Sequence, residues 1–94
     1  MFNFNYNDVY IGMDLYTTYK GKLLILKNVY KYEGPITLQY LPYGGIQTVF
    51  EGNLVINTRN GFITSEFVIY NGEEMTNEEF ISRNSNLVNH ILTS

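Results

Sequence analysis

The stretch Glu51-Gly52-Asn53-Leu54-Val55-Ile56-Asn57-Thr58-Arg59-Asn60-Gly61, followed ten residues later by Asn71-Gly72, decides the fold. Gly and Asn reach the positive φ that tight hairpins require, so these pairs mark turns for a stated reason. Asn53 to Thr58 lies between two of them and is rich in strand-forming residues. Phe62 to Tyr70 lies between the next two, with Ile63, Phe67 and Ile69 set against Thr64, Glu66 and Val68. Thr58-Arg59-Asn60-Gly61 is the clearest hairpin in the chain.

Similar punctuation recurs upstream at Lys20-Gly21-Lys22, Glu33-Gly34-Pro35 and Tyr43-Gly44-Gly45. Short strands at this spacing predict a small antiparallel sheet or barrel. A first strand is expected from Asp8 to Tyr19, where Val9, Ile11, Met13 and Leu15 alternate with Tyr10, Gly12, Asp14 and Tyr16. Leu23-Leu24-Ile25-Leu26 is a continuous apolar run, which suits a strand covered on both faces. It continues through Val29, Tyr30 and Tyr32, with a bulge expected near Asn28. A third strand is expected from Pro35 to Leu41 and a fourth from Ile46 to Glu51.

Beyond Asn71-Gly72 the pattern changes. Thr76 precedes Glu79 by three residues, the spacing of a capping box. Phe80, Leu87, Val88, Ile91 and Leu92 recur at helical intervals and predict a helix from about Asn77 to Leu92. Its middle, Ser82 to Asn86, is built of weak helix formers and is where the helix would break without packing support. The expectation is one mainly β (α+β) domain over 1–94, a β meander or barrel over 1–72 and a helical segment over 73–94. It would comprise about six strands and one C-terminal helix. The run from Gly12-Met13 through Gly44-Gly45 to Gly52-Asn53-Leu54 resembles SH3-like small barrels, implying a partly closed barrel and transferring no functional residue.

Composition narrows the chemistry. The chain has 94 residues, 45% hydrophobic and 16% charged, enough apolar surface to offset chain entropy in one domain. It has no cysteine, so disulfides, zinc knuckles and thiol nucleophiles are excluded. No apolar stretch approaches a membrane span, and the N-terminus lacks the features of a secretory signal. A cytoplasmic location is expected. The net charge of −3 is divided unevenly: residues 1–50 carry four lysines against three acids, and 51–94 two arginines against six. That balance disfavours generic nucleic-acid binding. Twelve asparagines, nine tyrosines and no alanine match the usage of AT-rich genomes, including phages and mobile elements.

Catalytic constellations are scarce. His90 is the sole histidine, so Ser-His or Cys-His pairs have nowhere else to form. Its placement suits the C-terminal end of a helix dipole. Glu73, Glu74, Glu78 and Glu79 read as acids favoured at a helix start rather than as an acid/base site, and no calcium-loop spacing appears. Gly44-Gly45 lacks phosphate-loop spacing. The expectation is a non-enzyme with no catalytic residue, metal or cofactor.

Seven tyrosines lie between Tyr10 and Tyr43, more than a small core can bury with hydroxyls satisfied. Tyrosine pairs an apolar ring with a polar tip, which suits interfaces. Tyr16, Tyr19, Tyr30, Tyr32, Tyr40 and Tyr43, with Lys20, Lys31 and Arg59, are the candidate binding residues. Leu87, Val88 and Ile91 are the candidate contacts of a homo-oligomer, which the uncovered run Leu23–Leu26 also favours. The reading that follows is a small binding protein with a protein partner, such as a phage or mobile-element inhibitor of a host or defence protein. Alternatives are an oligomeric protein that binds or sequesters a small nucleotide signal and an SH3-like nucleic-acid module.

Overall fold

Three hairpins, each turning on a two-residue pair with positive φ, organise the chain. The pairs are Lys20-Gly21, Glu51-Gly52 and Asn71-Gly72, all with φ between 49° and 84°. Two successive left-handed residues give a turn whose twist matches that of the flanking strands. The structure, a computed structural model, describes residues 11–36, 41–59, 61–84, 86–88 and 90–92. Among these residues it has eight strands and one helix: β1 (Leu15–Tyr19), β2 (Lys22–Lys27), β3 (Tyr30–Lys31), β4 (Ile46–Phe50), β5 (Asn53–Thr58), β6 (Gly61–Thr64), β7 (Phe67–Tyr70), β8 (Glu73–Met75) and α1 (Asn77–Arg83).

The strands form two antiparallel four-stranded sheets, ordered β1-β2-β7-β8 and β3-β6-β5-β4. The expected mainly β architecture with a C-terminal helix is present, as a partly closed arrangement rather than a closed barrel. Two chain segments cross from one sheet to the other. The first bends at Asn28-Val29 between β2 and β3, and the second at Ser65-Glu66 between β6 and β7. Lys27 opposes Phe67 before the bend and Tyr30 opposes Thr64 after it, so no residue is gained or lost. The two segments make one folded ladder shared by both sheets.

Local chemistry explains each bend. Asn28 adopts φ 52°, a conformation its short polar side chain tolerates. Its N–H donates to Asp14 Oδ1 at 3.0 Å, and its side-chain amide donates to Glu66 Oε2. Glu66 N–H donates to Lys27 O at 2.9 Å. On the inner side, buried Ser65 donates through Oγ to Asn77 Oδ1 at 3.0 Å, while Asn77 Nδ2 donates to Ser65 O at 2.5 Å. This reciprocal pair fixes the second bend to the first residue of α1. Leaving one of these buried groups unpaired would cost about 1–3 kcal/mol.

The core lies between the sheets. Leu15, Leu24, Leu26 and Val68 from one sheet meet Ile46, Leu54, Ile56 and Ile63 from the other. α1 closes one end. Phe80 is fully buried, with its ring 5.5 Å from Tyr19 and 5.3 Å from Tyr70 in edge-on contacts. Thr76 caps the helix by accepting from Glu79 N–H at 3.0 Å. The acceptor half of the expected capping box is therefore present, while the Glu79 carboxylate turns to Arg83 at 2.5 Å.

Several boundaries differ from the sequence reading. β1 begins at Leu15, and the proposed start at Asp8 lies outside the described residues. The expected third strand is absent at Pro35, Ile36 and Leu41, and 37–40 lie outside the described residues. Instead, the short β3 follows the Asn28 bend directly. The single strand expected from Phe62 to Tyr70 is two, because the Ser65–Asn77 contact turns it. Glu73 to Met75, assigned to the helical segment, is β8. The helix stops at Arg83, where Asn84 bonds back to Ile81 O and Phe80 O. The chain then extends, and Ile91 bridges to Gly45 through Ile46 N–H to His90 O at 2.8 Å and Leu92 N–H to Gly44 O at 2.9 Å.

Candidate functional site

Strand alternation divides the first sheet into two sides. Leu15, Thr17 and Tyr19 on β1, Leu24 and Leu26 on β2, Val68 on β7 and Met75 on β8 point inward and are buried. The residues between them point outward. Tyr16, Ile25, Ile69 and Glu74 lie in one row across all four strands. Thr18 and Leu23 flank that row on one side, with Lys27 and Phe67 on the other. Leu23, Ile25, Phe67 and Ile69 are half-buried and Tyr16 is exposed. Solvated sheet faces normally alternate apolar-in with polar-out. This face instead carries contiguous, half-buried aliphatic and aromatic side chains. α1 docks on the opposite side, through Phe80 against Tyr19 and Tyr70.

The charges on this face sit at its margins. Lys27 Nζ donates to Asp14 Oδ2 at 2.6 Å. That hydrogen bond, helped by the Asn28 N–H, holds the Asp14 carboxyl below the usual aspartate range. The same bond raises Lys27 above the ordinary lysine value, so the pair stays charged at neutral pH. Glu74, exposed on β8, lies on the far side of the apolar residues and also favours the charged form of Lys27.

The candidate tyrosines are dispersed rather than gathered. Tyr16, Tyr30 and Tyr43 are exposed on β1, on β3 and before β4. β3 and β4 are opposite edges of the second sheet. Tyr32 is half-buried and donates its hydroxyl to Pro35 O at 2.7 Å, folding its ring against Gly34. Tyr40 lies outside the described residues. Tyr19 is corrected from a surface residue to a core residue. It is 1% exposed because an odd-numbered position on β1 faces inward. Its ring meets Tyr70, Phe80 and His90 at centroid distances of 4.7 to 5.8 Å. Tyr70 donates its hydroxyl to Tyr19 O at 2.8 Å. Lys20 in the β1–β2 turn, Lys31 on β3 and Arg59 just after β5 are all exposed, with Lys20 Nζ 5.4 Å from the Tyr19 ring.

Of the candidate oligomer contacts, Leu87 is likewise corrected to the core, at 3% exposed. Once the helix ends at Arg83, Leu87, Val88 and Ile91 no longer share a helical stripe. Val88 is exposed, and Ile91 is half-buried in the bridge to Gly45. His90 stacks edge-on against Tyr19 in that extended segment rather than at a helix end.

The acidic residues divide between two elements. Glu73 and Glu79 both bind Arg83, at 3.0 and 2.5 Å. Beside them Tyr70, Asn71, Met75 and Asn84 line an open groove of about 240 Å³, on the helix side of β7 and β8. Among the described residues, no group of three or more His, Asp or Glu converges as a metal site. No helix among them is long and apolar enough to cross a membrane.

Sequence reasoning did not assign Ile25, Phe67, Ile69, Lys27 or Glu74 to a site. The signal was present in the run Leu23–Leu26, whose apolar residues on both sides of one strand ask for two layers of cover. Comparison with known protein families, with curated proteins and with solved structures finds no match to this chain.

Proposed function

We propose that this chain is a non-catalytic binding protein whose interface is the outward face of the first sheet. One observation carries the reading: Leu23, Ile25, Phe67 and Ile69 form a contiguous apolar surface on a face that α1 leaves uncovered. A macromolecular surface suits it better than a nucleotide. Small-molecule sites are concave and enclose their ligand, whereas this face is the broad side of a sheet. The dispersal of Tyr16, Tyr30 and Tyr43 over separate places also favours this reading over a stacking platform for a nucleotide or single-stranded nucleic acid. Inhibition of a host or defence protein is one use of such a surface.

The reading is tested with Ile25→Glu and Ile69→Glu. Both positions are half-exposed, so each variant is expected to keep its cooperative thermal transition. Each should lose the association the native chain shows, measured by sedimentation and by capture from a bacterial lysate. Association that survives both substitutions, or a native chain that associates with nothing, overturns the reading.

A further inference from the structure

We propose that the occupant of this face is a second copy of the same chain, docked about a two-fold axis that passes between Ile69 and Phe67. The inference rests on the reading of the face as an interface and adds the identity of the partner. An isologous contact demands a surface that complements itself. The outward face meets that demand through the placement of its charges.

Lys27 stands on β2, in the row that also holds Phe67. Glu74 stands on β8, in the row that holds Ile25 and Ile69. Two strand spacings and one two-residue step separate the cation from the anion, roughly 12 Å on the unrolled sheet. The midpoint of that line falls on β7, between Ile69 and Phe67. A two-fold axis through this midpoint, lying in the interface and perpendicular to the line, exchanges the two charged positions. Lys27 of each copy then faces Glu74 of the other, and Ile25 of each lies over Ile69 of the other. The product has an apolar centre with two symmetry-related ion pairs at its rim, the usual anatomy of a specific interface.

Lys27 is equipped for a second acceptor. Its ammonium has three donors, and the bond to Asp14 Oδ2 uses one while fixing the side chain in place. Arg83 is engaged by Glu73 and Glu79, the neighbouring acids of β8 and α1. The apolar chemistry at the centre is also self-matching, since branched aliphatic side chains meet branched aliphatic side chains. The four strands hold three to six residues each. The face therefore spans roughly 19 Å across and 14 Å along the strands. That is roughly 270 Å² of sheet per copy, less than a stable specific dimer buries, and it marks the contact as a weak, transient one. The dimer should exchange with monomer and respond to concentration.

The experiment is sedimentation equilibrium of the full chain from about 1 μM to 1 mM, with thermal unfolding as the folding control. The native chain is expected to rise from 10.9 kDa toward twice that mass. Glu74→Lys should raise the dissociation constant by about tenfold or more, because it sets two cations face to face. A positional test uses the absence of cysteine from the native sequence. On mild oxidation, an equal mixture of Lys27→Cys and Glu74→Cys chains should give a covalent dimer, while either chain alone gives little. A native chain that is monomeric throughout the series overturns the inference. If Ile25→Glu then abolishes its capture of a different protein, the interface reading survives without the dimer. If it captures nothing, both fall. A dimer that ignores Glu74→Lys and fails to cross-link in the mixture also overturns the inference.

Discussion

Two apolar runs, one in each sheet, meet different surroundings. On β5, Leu54, Val55 and Ile56 are all 0% exposed. Successive strand residues point to opposite sides, so both sides of the second sheet are covered by the chain itself. On β2, Leu24 and Leu26 are equally buried, yet Leu23 and Ile25 remain half-exposed. The difference shows that an apolar run reports a need for cover on two sides without saying who supplies the second layer. In the second sheet the fold supplies it. In the first, Leu23 and Ile25 stay half-exposed among the described residues, and that is the argument for an interface.

The contrast is broken most directly by truncation at matched depth. Ile56→Ala should cost about 2–5 kcal/mol by denaturant unfolding, the price of an unfilled cavity in a closed core. Ile25→Ala, measured on the monomer, should cost under about 1 kcal/mol, because much of its methyl surface already meets water. Equal losses at the two positions would mean that the first sheet is closed as well.

The link between the sheets is tested next. Asn77→Ala leaves the buried Ser65 groups without their partner and should cost about 1–3 kcal/mol. If the bend at Ser65 depends on that contact, amide exchange should rise at Glu66 and Phe67 more than at the β1–β2 turn. A variant as stable as the native chain would show that the bend is held by other means.

The smallest effect is electrostatic. Asp14 is held below the usual aspartate range by its hydrogen bonds in the folded state. A depressed folded value stabilises fully above the unfolded value, about 3.9, and that stabilisation fades as pH falls through the folded value. Asp14→Asn should therefore be less stable than the native chain at pH 7, with the gap closing below about pH 4. Urea midpoints of both chains at the two pH values check this. A gap that does not change with pH would remove the ion pair as its source.

Much of the fold was legible because hairpin turns are local events. Lys20-Gly21, Glu51-Gly52 and Asn71-Gly72 declare their φ preferences within two residues. The helix was expected to reach Leu92 and ends at Arg83, within the weak helix formers Ser82 to Asn86 where a break was expected without packing support. The division of β6 from β7 was hidden. No Gly or Pro marks Ser65-Glu66, and the turn there answers to Asn77, twelve residues on. β8 was hidden by its glutamates, which resemble the first turn of a helix, and only the ladder with β7 shows otherwise. Tyrosine count pointed to exposed rings, but strand parity sent Tyr19 inward and spread the others over separate elements. The candidate face escaped notice because its members come from β2, β7 and β8, which only tertiary pairing brings side by side.

The folded ladder has an evolutionary corollary. Because Lys27–Phe67 and Tyr30–Thr64 hold one register through the bend, neither crossing segment can lengthen alone without reversing which side chains face the interior beyond it. An inserted codon near Asn28 would be tolerated only with a compensating one near Ser65. Descendants of this gene should therefore gain or lose residues at these two places together.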